Sequence, residues 1–271
     1  MEQIEIVVVG AGLAGLSSAR DLLDAGRQVV LLEARDRVGG RTYSAPFEAA
    51  GLTVDLGAEW VDPDQHQAMM QELARYEIDL EGTVSESPSQ GLTPKTEAAS
   101  WHSIVRTCGR IAAQLNPDQP HWYEGFDQFD LPVTAFLEAH SLDINDLSTF
   151  LAHGFALQGA HPDDYSMLNL LHEFASFGGV EAAFNGAESR IAGGAQSLSI
   201  ALANTLGSAL RLNCPVTRIA KTEGGVIVEG PAGQILAGRV IVALPLNVLS
   251  HLSLDIPLPA MAARVIAEGH V

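Results

Sequence analysis

The chain has 271 residues, 47% of them hydrophobic and 18% charged, and a formal net charge of −18. That length supports one large core or two modest ones, and the composition is that of a globular protein. Such an acidic excess disfavours nucleic acid and anionic membrane surfaces as partners, and no run is long and apolar enough to read as a bilayer span.

Ile6-Val7-Val8-Val9 is an apolar, β-branched run that predicts a buried strand. Its flank carries Glu2 and Glu5 rather than basic residues, so it does not read as a secretory leader, and the expected location is cytoplasmic. The glycine turn Gly10-Ala11-Gly12-Leu13-Ala14-Gly15 follows, then Leu16, Ala19, Leu22 and Leu23 at helical spacing. A second strand, Val29-Val30-Leu31-Leu32, ends on Glu33. This order of strand, glycine turn, helix, strand and acid is the one that binding a dinucleotide requires. Gly10 permits the tight turn, Gly12 lets the backbone approach a pyrophosphate, and Gly15 lets the helix pack on the strand. The helix N-terminus offers free N–H groups to the phosphates, and Glu33 can accept hydrogen bonds from a ribose hydroxyl.

Gly39 and Gly40, flanked by Arg35, Arg37 and Arg41, predict a flexible basic turn just past the acid. Val54-Asp55-Leu56-Gly57-Ala58 predicts a short strand running into a glycine turn, followed by a helix toward residue 75. Ser, Pro, Gly and Thr dominate Val84 to Pro94, which marks a loop or boundary. Helical spacing then runs through Trp101, Ile104, Val105, Cys108, Ile111, Ala112 and Leu115, ended by Asn116-Pro117. Further helices are predicted from Pro132 to His140, Asp143 to Leu157 and Ser166 to Phe177.

After Gly193-Gly194, Leu198, Leu202 and Leu206 mark a helix. Strands are predicted at Leu210–Leu212, Val216–Ile219, Val226–Glu229, Gln234–Leu236 and Val240–Ala243, the last as a buried parallel strand. The three before it, joined by glycine turns, predict a small meander packed on a main parallel sheet. A helix begins at Ala260. Together these elements predict an α/β fold interrupted by a helix-rich insertion.

The separated blocks resemble the flavin-dependent amine oxidase family, which includes monoamine, polyamine and L-amino acid oxidases. The blocks are the glycine turn, Glu33–Arg41, Asp55–Trp60, Ile191–Leu198, Cys214–Ile219 and Val240–Pro245, in the family's order. The resemblance implies a Rossmann-like FAD-binding domain in two parts, 1–83 and 189–247. A helix-rich substrate-domain insertion would occupy 84–188, and 248–271 would start a further substrate-domain segment. It implies FAD as cofactor, bound through Gly10, Gly12, Leu13, Ala14, Gly15, Glu33, Ala34, Arg35, Gly39, Gly40 and Arg41. Gly57, Ala58, Glu59 and Trp60 would pass along the flavin ring system, and the Val216 main chain would meet the adenine. Two readings stay open for three of these: Arg41 as a surface ion pair, Trp60 as core, and Val216 as an ordinary strand residue.

The chemistry so implied is hydride transfer from an amine Cα–H to flavin N5, giving an imine that water hydrolyses, with O2 reoxidising the flavin to form peroxide. The substrate would be a small amine or amino acid. Asp62 stands where polyamine oxidases of the family often carry histidine, which weakens a polyamine-specific reading. Arg75, Arg106, Arg110 and Arg190 are candidates to hold a substrate carboxylate, with surface positions as the blander reading. His172-Glu173 lacks a second histidine at zincin spacing, so the nine histidines carry no metal reading. Cys108 and Cys214 are too few for a disulfide framework and read as idle thiols. Flavin desaturases and porphyrinogen-type oxidases share the glycine turn and arginine block, but Asp55–Trp60 fits the amine oxidases better. A regulatory FAD-binding subunit is the third alternative.

The resemblance covers about the first three-fifths of the family's usual length. Family features beyond this point include a lysine holding a water near flavin N5, the aromatic cavity walls and a second flavin-binding block. The catalytic residues are left unassigned, and positions beyond Val271 stay open for them. A split or cleaved enzyme whose second chain supplies that half, a fragment, and a short natural homologue are the alternatives, the missing half being favoured; homo-oligomerisation stays open. Purified alone, the chain is expected to bind FAD poorly and to aggregate.

Overall fold

A computed structural model describes residues 1–81, 98–144, 147–185 and 189–268. The chain divides into two compact units, Met1–Gly82 with Glu188–Val271, and Thr83–Ala187. The loop predicted at Val84–Pro94 lies outside the described residues.

The first unit begins with β1 (Glu2–Val9), α1 (Leu13–Asp24) and β2 (Val29–Leu32). Next come the hairpin β3 (Ser44–Phe47) and β4 (Leu52–Asp55), then β5 (Trp60–Val61), α2 (Gln67–Arg75) and β6 (Leu80–Glu81). The short strand expected at Val54–Ala58 starts and ends earlier. Residues 56–58 leave the ladder, and the Leu56 and Ala58 N–H groups donate to the carbonyls of Tyr43 and Arg41 at 2.7 and 3.1 Å. On the other side, buried Arg20 of α1 donates to Glu72 of α2, Tyr76 and its neighbour Asp21.

The second unit contains α3 (Ala98–Ala112), α4 (Val133–Ala139), α5 (Ser148–Gln158), α6 (Met167–Ser176) and α7 (Val180–Asn185). Its core gathers Ile104, Cys108, Phe136, Phe150, Leu170 and Phe174 at helical spacing. Ser166 caps α6, its hydroxyl accepting the Leu168 N–H at 3.1 Å. α7 was not expected from the sequence; Gly178 and Gly179, with φ of +79° and +151°, turn the chain between α6 and α7.

The chain returns to the first unit with β7 (Ser189–Ile191), which pairs with β5 and β6, then α8 (Gln196–Leu206) and β8 (Leu210–Arg211). β9 (Arg218–Thr222), β10 (Gly225–Gly230) and β11 (Gly233–Val242) form the antiparallel meander. α9 (Leu246–Leu249), β12 (Ser253–Asp255) and α10 (Ala260–Glu268) follow. The main sheet has the order β12-β9-β10-β11-β1-β2-β8, with β1 parallel to both β2 and β11.

Alternation along β1 assigns its two buried faces. Ile6 and Val8, with Val29 and Leu31, pack against Leu16 and Ala19 of α1 and Leu198 and Leu202 of α8. Ile4, Val7 and Val9, with Val30 and Leu32, pack against Ile219, Val228 and Ile235 of the meander. A straight β1 would put Glu2 roughly 23 Å from Val9. Yet Glu2 is bonded through both oxygens to Arg211, at 2.6 and 2.7 Å, beside Leu32 and hence Val9. The ladder skips Glu5 and Gly238, where a Cβ on Gly238 would lie 2.9 Å from the Glu5 carbonyl oxygen. The β1–β11 pair therefore folds over there and lays the meander on the sheet. Gly238 also explains why two expected strands, Gln234–Leu236 and Val240–Ala243, are one: the bend does not break β11. Its end is less buried than expected, with Val242 37% exposed.

Candidate dinucleotide site

The first unit brings the glycine turn, the acid and the basic turn together. Gly10 has φ +100°, and a Cβ there would come within 2.8 Å of the Ala243 carbonyl oxygen. A Cβ on Gly15 would sit 1.9 Å from the Gly10 carbonyl oxygen, so close helix–strand packing demands glycine. Gly12 differs, since a Cβ there meets nothing within 4 Å. It is the N-cap of α1, with no side-chain cap and no acid in the first helical turn. The first-turn N–H groups, including those of Leu13 and Ala14, thus have no capping side chain and face a partial positive charge outward.

Glu33 is half-buried, and its carboxylate accepts the Ala11 N–H at 2.7 Å and the Arg35 N–H at 3.0 Å. It ties the glycine turn to the start of the basic turn, and its oxygens retain lone pairs for ribose hydroxyls. The Gly39 N–H donates to the Ala11 carbonyl at 2.8 Å, and Gly12 and Gly39 form a parallel bridge. Gly40 takes φ +58°, with its Cα side directed at Gly12.

The arginines of this turn divide. Arg37 lies 4.2 Å over the Tyr43 ring and donates to the Val38 and Gly40 carbonyls, so it is occupied in holding the turn. Arg35 and Arg41 are exposed, and among the described residues neither has an ion-pair partner. They form a local cationic spot in an acidic chain. A Cβ on Gly57 would sit 1.9 Å from the Arg41 carbonyl oxygen, which seats Gly57 and Ala58 directly on the basic turn. Exposed Ala34 follows Glu33 at the rim of the same corner.

Glu59 and Trp60 sit beside Arg190, opposite Trp60 in the β5–β7 ladder. Arg190 is 3.2 Å from a Glu59 oxygen, 3.9 Å from Asp55 Oδ2 and 5.8 Å over the Trp60 ring. Trp60 is 51% exposed, so it belongs to no core of this unit. Arg75 is near Glu72 and exposed, and Arg106 and Arg110 are exposed on α3. None of the four arginines is a buried cation free to receive a carboxylate.

Past Glu33, the Cys214 N–H donates to the Glu33 carbonyl at 2.8 Å. Here a cavity of about 260 Å³ opens between the end of β2 and the meander, lined by Leu32, Cys214, Pro215, Val216, Val228 and Gly230 among others. Val216 lies just before β9 rather than within it. Glu2 and Arg211 close the cavity rim, and the Arg211 hydrogen bond holds the Glu2 carboxyl below the usual carboxylate range. A cavity of mixed apolar and polar lining, Glu229 and Gln234 included, an acid, an uncapped helix N-terminus and two exposed arginines thus follow one another. That sequence fits a base, a ribose and a pyrophosphate.

The sequence reading missed the polar residues behind this surface, which form two hydrogen-bonded pairs, Thr42 with Ser199 and Ser44 with Gln196. Nothing in their local sequence signals the role, because their partners are remote. Among the described residues no three His, Cys, Asp or Glu side chains gather as a metal site. No helix there is long and apolar enough to cross a membrane.

Fold and site together define an α/β protein with a Rossmann-like dinucleotide-binding framework. A family model described as flavin containing amine oxidoreductase matches residues 13–271, and the chain belongs to that family. The family makes the dinucleotide FAD. Putrescine oxidase of Kocuria rosea is 32% identical over 291 residues, covering 95% of this chain and 60% of that protein. Flavin-containing amine oxidase B of Bos taurus is 29% identical over 289 residues, covering 97% of this chain and 54% of that one. A solved structure of putrescine oxidase bound to putrescine superposes with a TM-score of 0.80 at 28% identity, over 98% of this chain and 63% of that chain. The chain therefore spans about 60% of the length of the first curated relatives it matches.

Proposed function

We propose that the first unit holds FAD along this path and that the gene product carrying this sequence oxidises an amine to an imine. The supporting observation is the three-way join at Glu33, whose carboxylate binds both Ala11 and Arg35 while the cavity opens behind it. In this reading the adenine enters the cavity against the Val216 main chain, beside Ala34 and Arg35. Glu33 accepts the ribose hydroxyls. The pyrophosphate lies over Gly10, Gly12, Leu13, Ala14 and Gly15, where the α1 N-terminus and the Gly39–Gly40 backbone approach from two sides. Arg41 neutralises phosphate charge at the ribityl end. Gly57 and Ala58 present backbone to the ring system, with Glu59 and Trp60 at its far edge.

When bound, FAD would supply the redox chemistry, the two-electron oxidation of the amine with O2 as the final acceptor. The residues described here bind and orient it. An amine is favoured over an amino acid because the nearby cation, Arg190, already faces Glu59 and Asp55. Two carboxylates on one guanidinium leave a local charge that attracts an ammonium group and repels a carboxylate.

Anaerobic mixing with primary amines, secondary amines and amino acids tests the reading, followed as bleaching of flavin absorbance. Bleaching by amines, with peroxide on admitting air, is the expected result. Silence with every amine alongside turnover of a carotenoid or porphyrinogen precursor overturns it.

A further inference from the structure

Behind the basic turn lies a buried polar clasp to which the functional reading gives no task. Gln196 is the first residue of α8 and only 8% exposed. Its amide joins two segments: Nε2 donates to the Val38 carbonyl at 2.8 Å, and Oε1 accepts the Ser44 N–H at 3.1 Å. The Gln196 backbone N–H returns to Ser44 Oγ at 3.0 Å, so the two residues grip each other reciprocally. One turn further along α8, fully buried Ser199 meets Thr42 Oγ1 at 3.0 Å, and Thr42 Oγ1 donates to the Gly39 carbonyl at 2.9 Å. Helix α8 therefore holds the carbonyl side of the Val38–Thr42 turn. The opposite side of that turn faces Gly12.

Gly39 and Gly40 both sit at positive φ, +104° and +58°. A glycine pair has more backbone conformations to lose than any other, so a turn built from it is ordered only by what surrounds it. Ordering it before the ligand arrives removes that cost from binding. We propose that Gln196 is a positioning residue for the pyrophosphate, fixing the Val38–Thr42 turn so that its two glycines stay against Gly12. The inference rests on the FAD reading above.

The test compares FAD, ADP and adenosine binding to the gene product carrying this sequence, unsubstituted and as Gln196→Glu and Gln196→Met. Glutamate keeps the acceptor for Ser44 but sets a carboxylate oxygen against the Val38 carbonyl. Methionine keeps the length and removes both hydrogen bonds. At pH 8, FAD and ADP should each bind about tenfold more weakly to both variants, with adenosine unchanged, because only the pyrophosphate meets the turn. Lowering the pH should restore Gln196→Glu, whose protonated acid regains a donor for Val38, and should leave Gln196→Met impaired. If the glutamate variant does not fold, the methionine variant decides. Undiminished FAD and ADP affinity, or adenosine affinity falling in step with ADP, overturns the proposal. Failure of the unsubstituted protein to bind either FAD or ADP overturns the functional reading itself.

Discussion

The Glu33 carboxylate accepts the backbone N–H of Ala11, 22 residues earlier, at 2.7 Å. The acid that ends β2 thus also fixes the glycine turn that ends β1. Replacing it by glutamine leaves one oxygen for two backbone N–H groups and turns an N–H₂ toward one of them. Hydrogen bonds to a charged acceptor are worth about 1.5–3 kcal/mol, so Glu33→Gln should weaken FAD binding by roughly ten- to a hundredfold. Flavin fluorescence titration measures it, and affinity within twofold of the parent would count against a ribose role.

The glycines of the turn should separate under substitution. Gly15→Ala forces a Cβ to 1.9 Å from the Gly10 carbonyl oxygen, and backbone cannot rotate away as a side chain can. It should destabilise the fold by about 1–3 kcal/mol or more, seen as a lowered unfolding midpoint. Gly12→Ala meets open space, so the midpoint should move little while FAD affinity falls, because the methyl occupies the phosphate's place. Equal effects of the two substitutions on stability would contradict this assignment.

The cavity contains a built-in reporter. Cys214 lines it and is partly accessible, whereas Cys108 is fully buried with its thiol titration pushed up by desolvation. A small alkylating reagent should modify Cys214 and spare Cys108 in the folded protein, and FAD or ADP should slow the Cys214 reaction several-fold. Mass spectrometry of the modified peptide reads the outcome. Unprotected labelling at saturating FAD would remove adenine from this cavity.

In the second unit, His153 stacks on Phe184 with ring centroids 4.8 Å apart and lies 6.3 Å from Trp101. Burial lowers its pKa below the ordinary histidine value. A folded pKa lower than the unfolded one means that the unfolded state takes up the proton first. The stabilising contribution is full above the ordinary value of about 6.5 and declines as pH falls below it toward the folded pKa. His153→Phe should flatten that part of the stability–pH curve, as followed by thermal unfolding between pH 7.5 and 5. An unchanged slope would assign the pH response elsewhere.

The elements that were legible carry their own periodicity. β1 and β2 are short apolar runs buried on both faces, and α1, α3, α6 and α8 repeat apolar residues every three or four positions. β3, β5, β6 and β7 were not legible. They are two to four residues long and largely exposed or half-exposed, so only tertiary pairing makes them strands. The backbone of the two glycine turns was readable because Gly10, Gly39 and Gly40 adopt conformations that favour glycine. The support behind it was not: Gln196 grips Val38 from 158 residues away, and nothing in either local sequence says that the two meet. Arg37 shows the same limit, since charge alone cannot separate an arginine that stacks on Tyr43 from one left free for a phosphate.

A crystal structure of the gene product carrying this sequence, grown with FAD, would locate the cofactor atom by atom. Pyrophosphate oxygens are expected within hydrogen-bond distance of the Leu13 and Ala14 N–H groups, and a ribose hydroxyl on Glu33. The adenine should lie in the cavity beside Val216. FAD seated away from the Gly12–Gly40 contact, or a ribose that leaves Glu33 untouched, would contradict this placement.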